Sequence, residues 1–106
     1  MGKKRSDFAS QVLTIVRRIP YGRVATYGDV AAAARRPLAH RAVGNIMRTC
    51  HDISVPCHRV IAADGKLGGY AGDLQRKRSL LMGEGLAVSA GKVRNFAEVR
   101  WKAKKN

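Results

Sequence analysis

TYGDVAAAARRPLAHRAVGNIMR, residues 26–48, reads as two short helices joined by a turn. Thr26, with Asp29 three positions on, makes a capping-box-like pair that opens an alanine-rich helix through about Ala34. Arg36 precedes a proline and is pushed out of helical geometry, while Pro37 suits the first turn of a further helix running to about Arg48. The spacing predicts that Leu38, Ala42, Val43, Ile46 and Met47 face inward, leaving His40, Arg41, Gly44, Asn45 and Arg48 outside. Such a pair is either an ordinary packing unit or a helix-turn-helix that meets DNA. Ala39, Ala42 and Gly44 project little and let the second helix approach a nucleic-acid backbone closely, with Arg41 as the longest reach among them.

Charge favours DNA. The chain carries 21 Lys and Arg against seven acidic residues, a formal net charge of +14, and a pI near 11.0. That excess points to a polyanion, with nucleic acid ahead of an anionic membrane surface. The apolar runs are far too short to span a bilayer, so no membrane partner is expected. At 106 residues one domain, 1–106, is expected, with 1–5 and 102–106 as flexible basic ends. Asp7, Ser10 and Gln11 interrupt the apolar residues after the leader, which reads as a helix rather than a secretory segment. An intracellular location follows, whether cytoplasmic, nucleoid or nuclear. There Cys50 and Cys57 stay reduced and unpaired.

Around this pair of helices the chain is simple. Ser6 caps a first helix with Phe8, Val12, Ile15, Val16 and Ile19 on its core face, and Pro20-Tyr21-Gly22 stops it before a short extended Arg23-Val24-Ala25. Asp64-Gly65 reads as a hairpin tip, Gly68 to Gly72 as a flexible loop, and Asp73 as the cap of a helix from Leu74 to Gly83. Gly85 suits a left-handed C-terminal cap there, and Arg76 to Arg78 read as that helix's solvated basic face. Phe96, Val99 and Trp101 are expected to fold back on the core. The fold class is mainly α with short β segments, a single small domain around a helix-turn-helix, winged-helix-like core.

One further stretch carries chemistry. Val55-Pro56-Cys57-His58-Arg59-Val60 places a cysteine beside a histidine and an arginine, with Ile53, Val55, Val60 and Ile61 suggesting extended segments on either side of a proline turn. Cys57 is either a nucleophile whose thiolate is favoured by the neighbouring cations or a small buried hydrophobe. Adjacent side chains diverge, so His58 need not touch the thiol. The same divergence argues against zinc on Cys50-His51 and Cys57-His58, because structural sites space paired ligands two to four residues apart. No metal is expected.

Pro56-Cys57-His58-Arg59-Val60 resembles the active-site motif of the O6-alkylguanine-DNA alkyltransferases. The likeness extends over Pro20-Tyr21-Gly22-Arg23-Val24 with Thr26-Tyr27, Arg41-Ala42-Val43-Gly44, Gly69-Tyr70-Ala71-Gly72, and the helix ending in Glu84-Gly85. It implies repair by base flipping, with the helix bearing Arg41 in the minor groove, Arg41 filling the place of the extruded nucleotide, and Tyr27 turning that nucleotide out through its phosphate. It further implies Cys57 as nucleophile, His58 as base through a water, and Glu84 as the carboxylate orienting His58. Tyr27, Pro56, Val60, Tyr70 and Ala71 line the alkylguanine pocket in this reading, with carbonyls near Cys57 and Val60 reading the guanine amino group. Transfer is single-turnover and needs no cofactor.

The chain departs from the family pattern in three ways. The N-terminal domain common among alkyltransferases is missing, Cys50 stands where an asparagine is usual, and Ala71 where a serine often occurs. The short length and the Arg100-Trp101 ending are similar to the alkyltransferase-like proteins, which bind alkylated guanine without transfer and pass it to other repair proteins. Those proteins typically lack the cysteine. With Cys57 present, transfer is the leading expectation and lesion recognition alone the alternative, in each case by a monomer on double-stranded DNA containing alkylated guanine.

Overall fold

Thr26 closes the capping box predicted for it: its side chain accepts from the Asp29 amide at 2.9 Å, and its own amide donates to Asp29 Oδ2 at 3.1 Å. This opens α2 (Tyr27–Ala33), which packs between α1 (Asp7–Arg17) and α3 (His40–Thr49). The computed structural model describes residues 7–68 and 74–103, and the caps expected at Ser6 and Asp73 and the glycine-rich loop lie outside them. Val12, Ile15 and Val16 of α1, with Ile19 two residues past its end, bury their stripe against Val30 and Ala31 of α2 and Val43 and Met47 of α3. Apolar positions at helical spacing explain why α1 forms and which way it faces.

α2 ends with Arg35 in the left-handed region at φ 66. The Arg35 amide donates to Ala32 O and the Arg36 amide to Ala31 O, both at 2.9 Å, the pairing of a Schellman cap that usually employs glycine. The chain then makes a turn, with the Ala39 amide on Arg36 O, so α3 begins at His40 rather than at Pro37. That late start corrects the predicted stripe. Leu38 precedes the helix and is 91% exposed, and Ala42 also faces out, while Val43 and Met47 hold the inward face. Gly44, expected outside, is half-buried: a Cβ there would stand 4.0 Å from the Tyr27 ring.

β1 (Ala25–Thr26) and β2 (Val60–Ile61) pair in parallel, Ala25 opposite Val60 and Thr26 opposite Ile61. This short ladder sets the start of α2 beside the end of the Cys57 turn. The flank before Pro56 is not a strand. Asp52 Oδ1 accepts from the Ser54 amide and hydroxyl, and Ile53 at the tip of that turn is 99% exposed. Asp64-Gly65 does form a tight turn, with the Ala62 amide on Lys66 O at 2.8 Å, but β2 takes β1 as its ladder partner.

A second core cluster, Val24, Ile61, Leu67, Leu81, Leu86, Val88 and Val93, lies under α4 (Leu74–Gly83) and the hairpin β3 (Val88–Ser89) and β4 (Lys92–Val93). As predicted, Gly85 ends α4 at φ 90. Its amide donates to Met82 O, and the Leu86 amide to Leu81 O, with both leucines buried in the same cluster. α5 (Phe96–Val99) folds back, Phe96 and Val99 covering this cluster and Trp101 the first one. The Trp101 amide donates to Val24 O at 2.7 Å, and Arg100 grips Asp29 with Nε at 2.9 Å and Nη2 at 2.7 Å. Burial alone would raise the Asp29 carboxyl; Arg100 and the Thr26 amide more than offset it and hold it low.

Candidate active site

Pro56, at φ −76 and ψ 66, is the centre of an inverse γ-turn, closed by the Cys57 amide on Val55 O at 2.7 Å. Cys57, His58 and Arg59 follow as one 3₁₀ turn that runs into β2. A proline fixes φ near this value and has no amide to satisfy, so the sequence dictates the bend locally. Consecutive side chains leave such a turn in different directions, and here they take different tasks.

Glu84 gathers two of them. His58 Nε2 lies 2.7 Å from Glu84 Oε2, Arg59 Nε lies 3.0 Å from each carboxylate oxygen, and the Gly22 amide donates to Oε1 at 2.7 Å. Arg59 Nη1 also donates to Ile19 O at 2.8 Å, so one guanidinium ties the turn after α1 to the exit of α4. Burial would raise the Glu84 carboxyl, but Arg59, then the Gly22 amide, then His58 hold it below its ordinary value. An ionised carboxylate only accepts, so Nε2 is the donor in this contact. The Glu84 pairing predicted for His58 is therefore present. Arg59 and the Gly22 amide as its further partners were not foreseen; Pro20-Tyr21-Gly22 and Arg59 were noted only as a turn and a possible field.

Cys57 itself is buried, 5% exposed, and packed in the first core cluster. Burial first, and then the neighbouring Cys50 side chain, push its thiol up to about 12. The two cations next to the thiol in sequence, His58 and Arg59, are both engaged by Glu84. Cys50 and Cys57 are both free thiols. They share a cleft of about 610 Å³ whose wall includes His51, Pro56, His58 and Arg76.

Tyr27 begins α2 and packs against the first core. Gly68, at φ 73, permits its position, since a Cβ there would fall 2.6 Å from the Tyr27 hydroxyl. Val60 is fully buried, and its carbonyl accepts from Lys77 Nζ at 2.8 Å. Lys77 thus leaves the predicted basic face of α4, with no exposed surface, because α4 packs on the Cys57 turn. Arg41 and Ala42 are exposed on α3, with Ala39 half-buried at its start. Tyr70 and Ala71 lie outside the described residues.

Fold and site together define a small helix-turn-helix protein with a cysteine beside a carboxylate-backed histidine. A family model describing the DNA-binding domain of 6-O-methylguanine DNA methyltransferase matches residues 7–86. The chain belongs to that family, the alkyltransferases of alkylated-guanine repair. It is 39% identical over 100 residues to a DNA base-flipping protein of Escherichia coli K12, covering 93% of this chain and 78% of that one. A methylated-DNA–protein-cysteine methyltransferase of Mycobacterium bovis is 47% identical over 79 residues, 72% of this chain. The chain spans about half of that enzyme's length, 47%. In structure it is similar to S. pombe Atl1, solved in complex with damaged DNA containing O6-carboxymethylguanine, with a TM-score of 0.81, 34% identity, and coverage of 92% and 97% of the two chains. Among the described residues, no helix is long and apolar enough to cross a membrane.

Proposed function

We propose that the chain binds double-stranded DNA, turns an O6-alkylated guanine out of the stack, and accepts its alkyl group once on Cys57. The observation that carries this reading is the 2.7 Å contact of His58 with an ionised Glu84, directly after Cys57 in the chain. An activated nucleophile needs a base and a third group orienting that base, and this arrangement supplies both. A buried thiol held protonated at rest requires such help. Its proton passes through a water to His58 Nδ1, sulfur bonds to the alkyl carbon, and the electron pair of the broken carbon–oxygen bond stays on guanine O6. The product is a thioether, so the protein acts once and without a cofactor.

Base flipping is required because an alkyl group within the duplex is beyond reach of a protein thiol. The exposed Arg41, with Ala39, Ala42 and Gly44 beside it, fits the intercalating face, and Tyr27 the phosphate side of the flipped nucleotide. Pro56 and Val60, with Tyr70 and Ala71, complete the pocket in this reading. The E. coli base-flipping relative supports the flipping step and the methyltransferases support the transfer.

A second reading, lesion recognition without transfer, is favoured by one observation, the burial that pushes the Cys57 thiol up to about 12. Mass spectrometry separates the two. After incubation with a duplex containing O6-methylguanine, transfer adds one methyl group to the peptide bearing Cys57; lesion-selective binding with an unmodified peptide establishes recognition alone.

A further inference from the structure

Past residue 86, where the family match ends, the chain makes the β3–β4 hairpin and α5 and then returns beside β1. Val24 and Arg100 form a parallel bridge, with the Val24 amide on Val99 O at 3.0 Å and the Trp101 amide on Val24 O at 2.7 Å. The run into α2 is thus held on two edges, by the tail at Val24 and by β2, the exit of the Cys57 turn, at Ala25 and Thr26. Arg100 adds a further hold. Its guanidinium lies 5.3 Å from the centre of the Phe96 ring and presents its fork to Asp29, Nε to Oδ2 at 2.9 Å and Nη2 to Oδ1 at 2.7 Å. Oδ2 also accepts from the Thr26 amide, so one carboxylate closes the capping box of α2 and anchors a residue 71 positions away. What this grip fixes is the first turn of a seven-residue helix, and short helices are marginal alone and fray from their ends. Tyr27 is the first residue of that turn. Its ring sits closely fitted, since a Cβ at Gly44 would stand 4.0 Å from it and one at Gly68 2.6 Å from its hydroxyl, so any loosening of the turn misplaces it.

We infer that Arg100 is a positioning residue for base flipping: through Asp29 it locks the first turn of α2 and so holds Tyr27 at a fixed place relative to Cys57. This rests on the flipping step proposed above. Tyr27 turns the nucleotide out from one element, and the base must then arrive at a sulfur carried by another. The β1–β2 ladder sets the two elements in register, Thr26 opposite Ile61, and the tail closes the other edge. Holding both groups in place beforehand removes the cost of ordering them once DNA is bound. Arg100 acts through the Asp29 carboxylate and not on the nucleotide itself.

Arg100→Gln removes both charge and fork, and Asp29→Asn keeps an acceptor for the Thr26 amide but not the ion pair. Flipping is read from the fluorescence of 2-aminopurine placed beside O6-methylguanine in a duplex, at saturating protein and at a temperature where circular dichroism shows each variant folded. Each substitution is expected to slow flipping on the order of tenfold, and the double variant no further than either alone. Arg100→Lys, which keeps the charge without the fork, should show an intermediate loss and carries the test if Gln does not fold. Affinity for undamaged duplex should fall no more in Arg100→Gln than in Arg94→Gln, which removes one charge elsewhere. A folded Arg100→Gln protein that flips at the unaltered rate, whatever its Tm, would overturn the inference and leave a stabilising ion pair. Absence of any fluorescence change with Arg100 intact sinks the flipping reading instead, and hydrogen exchange at the Asp29 amide then decides on the clamp. Faster exchange in Arg100→Gln than in Arg94→Gln upholds it, and equal exchange removes it.

Discussion

The Glu84 cluster and the outer face of α3 are built in opposite ways. In the cluster, a carboxylate with 7% of its side chain exposed holds His58, Arg59 and the Gly22 amide, so its charges are answered within the protein. On α3, His40 and Arg41 stand exposed among small residues. The lesson is one of timing. In the proposed function, the chemistry is organised before DNA arrives, whereas the α3 face keeps its cations for phosphate and base stack.

Breaking the organised side should have the largest effect. Glu84→Ala leaves the half-buried Arg59 without its carboxylate and is expected to cost about 3 kcal/mol in urea unfolding. The milder Glu84→Gln should fold yet slow methyl transfer on the order of 100-fold, the scale of losing general-base assistance. A Gln variant that transfers at full speed would reduce the cluster to scaffolding.

Titration probes the same interior. Lys77 is depressed from 10.5 to about 7, so between those values the unfolded chain binds more protons and stability rises with pH. Cys57 is raised from 9.0 to about 12, so above 9 the folded state holds the extra proton and stability falls. Unfolding free energy is therefore expected to climb from pH 7 to about 9, by up to about 1.4 kcal/mol per unit, and Lys77→Met should abolish the climb. A flat profile for the Lys77 protein would contradict its buried ammonium.

The exposed side is tested by Arg41→Ala, expected to weaken lesion binding by about 1–3 kcal/mol, against Arg94→Ala, which removes a charge beside the β3–β4 hairpin and should lower affinity only through screened attraction. Equal losses would argue against an arginine inserted in the stack. The smallest expected effect lies between the two regions. Arg35→Gly relieves the left-handed cap that ends α2 and should add about 1 kcal/mol, a rise of a few degrees in Tm, with lesion binding unchanged.

Local chemistry was legible from the residues themselves. Thr26 with Asp29, Pro56 before the nucleophile and Gly85 after α4 act within a few positions of themselves, through a cap, a fixed φ and a left-handed turn. The His58–Glu84 pair, by contrast, was implied only by the resemblance of the motif around Cys57 and the Glu84-Gly85 helix exit to the alkyltransferases. Helical spacing served less well where its starting point was wrong: α3 begins at His40, and Leu38 therefore falls outside the stripe.

Tertiary structure alone decided the electrostatic character of the site. Arg76 to Arg78 look like one solvated run, yet α4 packs on the Cys57 turn with Lys77 inward, and burial pushes the Lys77 ammonium down and the Cys57 thiol up. Arg59 next to His58 suggests a field on Cys57, yet the return of the chain at Glu84 claims both side chains. Sequence determined which groups were available and how each turn would bend, because those are short-range effects. Which charges would meet, and which would lose water, depended on contacts tens of residues apart.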